Sequence, residues 1–359
     1  MDGPIDLLGQ PGPELAQLAK RHLPSGHGIW REIYRDALRG EFEPERYGLN
    51  ERSAAGWRAH FRLELPKVVR VLEEPTEGFD DTVKLVLRTQ DGMELESVRI
   101  PMGGDRYTLC VSSQVGCKLA CAFCETGKMG LLRDLTVPEI IGQVVVGRSL
   151  GKPIRNIVFM GMGEPLDNLD NLVQALKVLN DQWGLSFGQE RITVCTAGVP
   201  AGLERLGRLG WKRLDLAISL NAAEDTLRDR LMPINRRHNL AELQAALVAY
   251  PRRKSFVYAI NYCLMPGIND RPEDAVAVAE FCRPLQRALV NLIPYNPGSS
   301  PLTRAPAEEE IERFITWLKD AGALVRRRVT KGRSSMAACG QLGNVELRKQ
   351  RAALKVVPP

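Results

Sequence analysis

The chain predicts an α/β fold: a partial (β/α)6 barrel preceded by a small module of helices and a β-hairpin. Two observations carry this. From about Tyr107 onward, short apolar runs alternate with amphipathic helical patterns, and repeated strand-then-helix units give parallel strands with helices packed outside. The residues with chemical character also fall just after, or near the end of, those runs, where ligands gather in parallel sheets.

The strand-like runs are Tyr107–Ser112, Ile154–Met160, Ile192–Cys195, Leu214–Leu220, Phe256–Cys263 and Ala288–Ile293. Helical patterns stand between and after them at Val137–Leu150, Leu169–Asn180, Leu240–Tyr250, Pro272–Leu285 and Ala307–Ala321. Thr136-Val-Pro-Glu139 places an N-cap, a first-turn proline and a capping-box glutamate in order. Gly322 follows the last helix where a C-terminal stop belongs. The first hundred residues read differently. Leu15–Leu23, Ile29–Leu38 and Ser53–Phe61 are short helical patterns, and Thr82–Arg88 and Met93–Ile100 alternate across the turn Gln90-Asp-Gly92. The expected division is an accessory module at 1–100, a barrel core with a C-terminal cysteine loop at 101–345, and a tail at 346–359.

The 359 residues are 44% hydrophobic and 26% charged, enough for a sizeable core. No uninterrupted apolar stretch approaches a membrane span, and the N-terminus lacks the basic-then-apolar pattern of a secretory signal. Eight cysteines in such a chain read as metal ligands, reactive thiols or packing residues in a reducing cytoplasm, not as a disulfide framework. The net charge of +6 permits a nucleic-acid partner without requiring one. Basic residues crowd at Arg326–Arg333 and Arg252–Lys254.

Cys117, Cys121 and Cys124 form a C-x3-C-x2-C run, Gly116-Cys-Lys-Leu-Ala-Cys-Ala-Phe-Cys124. A closed zinc site or an ordinary four-iron cluster takes four ligands; three leave one metal position open for a small molecule. A zinc knuckle completed from afar by Cys110, Cys195 or a histidine is the alternative. Downstream, Ile157-Val-Phe-Met-Gly-Met-Gly-Glu-Pro165 reads as a buried strand emptying into a glycine turn. There the backbone can approach a ligand, and Glu164 can accept from an ammonium group.

These two segments resemble the radical S-adenosylmethionine superfamily. Cys110-Val-Ser-Ser-Gln-Val-Gly-Cys117, Pro233-Ile-Asn, Pro266-Gly-Ile-Asn-Asp, Ile293-Pro-Tyr-Asn-Pro297 and Ala337-Ala-Cys-Gly-Gln-Leu-Gly343 narrow the resemblance to the RlmN/Cfr family of RNA methyltransferases, from about Ile100 to Gly343. The resemblance implies a [4Fe-4S] cluster on Cys117, Cys121 and Cys124, with S-adenosyl-L-methionine on the open iron. Gly163 and Glu164 would hold its methionine amino group, and Cys195, Ser219, Leu220, Asn221 and Asn296 the rest. Cys195 stands where the family often has serine, and Asn221 where it has histidine. Cys339 would carry a methyl group, donate its carbon to adenine, and be resolved by Cys110 as a Cys110–Cys339 disulfide. Glu96 matches the family's proton acceptor, and Cys110 is its rival.

The function so implied is methylation of an adenosine carbon, C2 before C8, in 23S ribosomal RNA and also in transfer RNA. The partners are RNA and an electron donor such as flavodoxin or ferredoxin, in the cytoplasm, with no membrane. The N-terminal module and the Arg326–Arg333 cluster are the expected RNA contacts. Competing readings are a C8-specific Cfr-type enzyme, a non-catalytic RNA-binding protein with a structural metal, and a radical enzyme acting on a small molecule.

Overall fold

A computed structural model describes residues 3–75, 78, 80–104 and 106–343. The expected tail at 346–359 lies outside the described residues. Ten strands form one mixed sheet whose spatial order is the order of the chain. β1 (Lys67–Glu74), β2 (Thr82–Arg88), β3 (Glu94–Pro101) and β4 (Tyr107–Cys110) pair antiparallel in succession. From β4 the pairing turns parallel through β5 (Ile154–Phe159), β6 (Ile192–Thr196) and β7 (Asp215–Ser219). It stays parallel through β8 (Tyr258–Leu264), β9 (Ala288–Pro294) and β10 (Leu324–Arg327).

The expected βα units are present, with ends moved by a few residues. Two features differ. The hairpin is continuous with the barrel sheet, since β3 and β4 pair in register Arg99↔Leu109 across residue 100. The sheet also gains an edge strand at each side, β1 and β10. Both escape a periodicity reading because neither buries a whole face: β1 leaves Val68, Val71 and Leu72 exposed, and β10 is short and basic.

The helices are α1 (Gly12–His22), α2 (Trp30–Ala37) and α3 (Glu51–His60) in the N-terminal module, then the short α4 (Glu125–Met129). Around the sheet lie α5 (Val137–Ser149), α6 (Leu169–Asn180), α7 (Pro200–Gly207), α8 (Asp225–Leu231), α9 (Leu240–Ala249), α10 (Pro272–Cys282) and α11 (Glu308–Asp320). The local signals operate as expected: Glu139 accepts from Thr136 N at 2.9 Å, and Gly322 takes φ +84° after α11. The N-terminal helices dock on the α5–α6 side, where Gly12 N donates to Asp181 Oδ2 at 2.6 Å. Leu7, Leu15 and Trp57 there share one apolar core with Leu172 and Leu176.

Strand alternation sorts the side chains. Leu109, Ile157, Val194, Leu216, Ile260 and Val290 are buried against the helices. Their neighbours Asn156, Thr193, Ala217, Ala259 and Asn291 face a cavity inside the barrel. Among the described residues no helix is long and apolar enough to cross a membrane.

Gln143 fastens α5 to this frame. It is fully buried; its Oε1 accepts from Ser97 Oγ at 2.7 Å and Ser112 N at 2.8 Å, and its Nε2 donates to Ser112 O at 2.9 Å. Gln143→Leu keeps the bulk and strands these groups, at roughly 1–3 kcal/mol for each one left buried without a partner. The urea midpoint is expected to fall accordingly, and an unchanged midpoint would show that the contacts do not matter.

Candidate active site

The chain leaves β4 at Cys110 and enters the three-cysteine loop through Gly116. Gly116 has φ +80°, and a side chain there would overlap the Gly130 carbonyl oxygen, so the loop closes on itself only with glycine. Cys117 N donates to Gly130 O at 3.2 Å, and Ala122 N to Leu231 O at 2.9 Å at the end of α8. Cys117 and Leu119 belong to a small apolar cluster with Leu231, Met232 and Tyr295 at the C-terminal ends of the strands, with Cys121 and Phe123 packed against it.

Cys117, Cys121 and Cys124 line a cavity of about 170 Å³ together with Gly163, Glu164, Cys195, Ser219, Asn221 and Cys339. Gly163 has φ +99°, and a Cβ there would stand 2.6 Å from Gln114 Cβ. The Glu164 carboxylate accepts from Ala197 N at 2.8 Å and Leu166 N at 3.1 Å. Burial pushes its carboxyl up to about 7 in spite of those bonds. Burial likewise pushes Cys117 up to about 12, and Cys121 and Cys124 also rise. Such thiols ionise when a cation compensates them.

Cys339 reaches the same cavity from the C-terminal loop. Glu125 N, directly after the third cysteine, donates to Gly340 O at 2.8 Å, and Thr126 Oγ1 to Leu342 O at 2.5 Å. Cys339 also lines a second cavity of about 520 Å³ inside the barrel, with Asn156, Thr193, Asp215, Asn291 and Arg326. Cys110 is buried beside it, its thiol pushed up to about 12 by burial and, less strongly, by Cys339. All eight cysteines are free thiols.

Comparison with known proteins places this arrangement. The profile of the radical S-adenosylmethionine superfamily matches residues 111–281. A protein of Syntrophotalea carbinolica named dual-specificity RNA methyltransferase RlmN is 43% identical over 294 residues, which cover 82% of this chain and 76% of that protein. The Methylorubrum populi protein of the same name is 40% identical, covering 92% of this chain and 81% of its own. The crystal structure of a radical SAM methyltransferase from Sphaerobacter thermophilus superposes with a TM-score of 0.85 at 36% identity, over 94% of this chain and 99% of that one. The chain belongs to the RlmN family of radical S-adenosylmethionine methyltransferases. Its cofactors are therefore a [4Fe-4S] cluster and S-adenosyl-L-methionine. The donor set fits them. Among the described residues no three Cys, His, Asp or Glu side chains converge tightly enough to hold a single metal ion, whereas three thiols around one cavity suit a cluster that takes one thiolate on each of three irons.

The structure brings most of the expected RlmN-type residues to the small cavity and sets four apart: Cys110, which lines neither cavity, and Leu220, Asn296 and Glu96. Leu220 is fully buried and offers only backbone: its N donates to Asn261 O at 3.0 Å, and its O accepts from Arg228 Nε at 3.1 Å. Asn296 lines the larger cavity, and its Nδ2 donates to Cys339 O at 3.4 Å. Glu96 lines neither cavity; it is buried and ion-paired with Lys84 at 2.9 Å. Asn221 takes φ +57°, a conformation asparagine tolerates better than most residues, and its Oδ1 accepts from Cys263 N at 2.9 Å. Cys263, which an apolar pattern suggests is packing, lines the small cavity, because β8 alternation puts it on the same face as Asn261.

Sequence reasoning misses Arg228, Arg328 and Asn261. Arg228 is fully buried and donates to Ala197 O and Asn235 Oδ1, each at 2.8 Å, bracing the strand ends. The available signal is its partner Asn235, inside the quoted Pro233-Ile-Asn segment. The basic run at Arg326–Arg333 divides. Arg327 pairs with Glu308, Arg333 Nε donates to Asn296 Oδ1 at 3.2 Å, and Arg328 lines both cavities. The thiols of Cys339, then Cys110 and Cys195, favour the charged form of Arg328. Of these four arginines Arg326 and Arg333 are mainly exposed.

At the other end of the larger cavity, burial pushes the Asp215 carboxyl from 3.8 up to about 6, with Arg253 opposing and Glu190 adding. Between those values the folded protein keeps a proton that the unfolded chain has lost, so stability falls as pH rises through that window and the penalty is constant above it. Asp215→Asn is expected to gain on the wild type in melting temperature from about pH 4 to about pH 7 and to hold that gain beyond. A pH-independent difference would exclude this cause.

Proposed function

We propose that the chain methylates an adenosine carbon, C2 in preference to C8, in 23S ribosomal RNA and in transfer RNA as a second substrate. One arrangement carries the reading: Cys339 faces the three-cysteine cavity on one side and the larger barrel cavity on the other. A sulfur so placed can take a methyl group from one cavity and deliver its carbon to a base in the other. The dual-specificity RNA methyltransferases to which the chain is similar support RNA as the substrate. The target base has to leave its stack to reach such a buried sulfur.

Cys117, Cys121 and Cys124 would hold the cluster. When bound, the cluster and S-adenosylmethionine supply a carbon-centred radical, which an electron-poor ring carbon requires. The remaining work belongs to side chains. Glu164 accepts the methionine ammonium beside Gly163, and that cation brings its raised carboxyl back to the ionised form. Cys195, Ser219, Asn221 and the Leu220 backbone shape the adenosyl side, and Asn296 fixes the Cys339 carbonyl. The Cys339 thiolate displaces the methyl group from sulfonium and keeps it as a thioether. Once the carbon is joined to adenine, Cys110 attacks Sγ of Cys339. The sulfur–carbon bond breaks with its electron pair passing to the base-bound carbon, which takes up a proton to become methyl, and the two sulfurs remain as a disulfide. Glu96, which lines neither cavity, would have to swing from Lys84 toward the base to take the ring proton, and Cys110 is its rival. Phosphate contacts fall to the accessory module at 1–100 and to the exposed members of the Arg326–Arg333 cluster, Arg326 and Arg333, in the 101–345 core, and a flavodoxin or ferredoxin supplies the electrons.

The test is made on protein purified without oxygen. About four irons per chain and one methyl group on the Cys339 peptide are expected, and mass analysis of RNA nucleosides should give 2-methyladenosine. Cys339→Ala should abolish product, and Cys110→Ala should leave RNA covalently attached at Cys339. Iron without any methyl on Cys339, even after S-adenosylmethionine is supplied, would overturn the reading.

A further inference from the structure

The loop that carries Cys339 is gripped at both ends by one buried ion pair. Lys84 on β2 and Glu96 on β3 are near neighbours on one face of the sheet, in the registers Lys84↔Val98 and Val86↔Glu96. Lys84 Nζ lies 2.9 Å from Glu96 Oε1, with the two side chains only 5% and 4% exposed. The same Nζ donates to Met336 O at 3.0 Å, and Glu96 Oε2 accepts from Gly343 N at 3.0 Å. Met336 and Gly343 bracket Cys339 on either side.

We infer that the Lys84–Glu96 pair is a clasp that positions Cys339, and that Lys84 is a positioning residue of the reaction. A buried lysine and a buried carboxylate are each costly without partners. Here each also bonds the loop backbone, Lys84 donating to a carbonyl and Glu96 accepting from an N–H. The geometry therefore ties the loop's two ends to adjacent strands and leaves its middle to reach the cavities. Both Glu96 oxygens are engaged by the clasp, which holds the carboxylate outside both cavities. The functional meaning of the clasp rests on the proposed role of Cys339; its geometry does not.

Hydrogen exchange on the anaerobically purified holoenzyme tests it. In Lys84→Met, the 337–343 segment should exchange at least about tenfold faster, while α9 keeps its wild-type exchange. Lys84→Arg, which restores the charge and the donor, should recover protection. Should Lys84→Met fail to fold, Glu96→Gln removes the ion pair at constant size and is expected to give the same local opening. Unchanged exchange at 337–343 overturns the clasp. So does a uniform rise that includes α9, which would mean simple loss of stability. A Cys339 that never carries methyl would sink the proposed function and leave the exchange result standing.

Discussion

The site depends on a barrel interior left unfilled. Closed parallel barrels pack their insides with bulky branched side chains. Here the inward positions carry Thr193, Ala217, Ala259, Asn261 and Asn291, while the bulk lies on the outer face under the helices. The fold thus draws its hydrophobic stabilisation from the outer layer and keeps space inside. The polar groups this leaves indoors must satisfy one another. Asn291 Nδ2 donates to Asn261 Oδ1 at 2.9 Å, Asn261 Nδ2 to Cys195 Sγ at 3.4 Å, and Cys195 stands 3.5 Å from Ser219 Oγ. This chain crosses from the larger cavity to the smaller one, and Asn291 Oδ1 ends it without a protein partner.

The charges near the strand ends follow from the same constraint. Arg228 is fully buried, and burial holds its guanidinium down at about 10 while Cys121 pulls the other way. Glu164 is an acid raised by burial, and Arg328 is a cation whose strongest electrostatic neighbour is the Cys339 thiol. A protein folding for stability alone would remove such groups. A ligand carrying an ammonium beside Glu164, or a thiolate beside Arg328, completes their electrostatics, so their cost is met on binding.

The parallel core was legible because its strands bury an outer face and its helices carry periodic apolar stripes and real caps, such as Thr136 with Glu139. The edges were not: β1 and β10 have no buried face to announce them, and the continuity of β3 with β4 is a matter of long-range pairing. At the site, the three cysteines and Gly163 with Glu164 could be read locally, whereas Ser219 and Asn221 entered only through the family resemblance; all of them line the small cavity. What could not be read depends on which way a strand turns its residues. Arg328 looks like one more surface arginine in a basic run, and only its place past the end of β10, where it lines both cavities, separates it from Arg326. Lys84 looks like a solvated hairpin lysine, and only the return of the C-terminal loop buries it.

That return also explains why so distant a segment can supply a working thiol. Cys339 sits on a loop, and loops hold geometry poorly unless other elements fix them. This one is held on the cluster side by Glu125 N on Gly340 O at 2.8 Å and by Thr126 Oγ1 on Leu342 O. It is held on the barrel side by Asn296 Nδ2 on Cys339 O and Gln341 Nε2 on Pro297 O at 2.8 Å. The residue after the third cysteine therefore sets the height of the thiol, and the strand-end asparagine sets its direction. A sulfur fixed between two cavities can serve both without travelling, and positioning of that kind removes an orientational barrier that a mobile arm would face in each turnover. The three-cysteine loop, by clamping Gly340, thus gives the Cys339 sulfur its place between the two cavities.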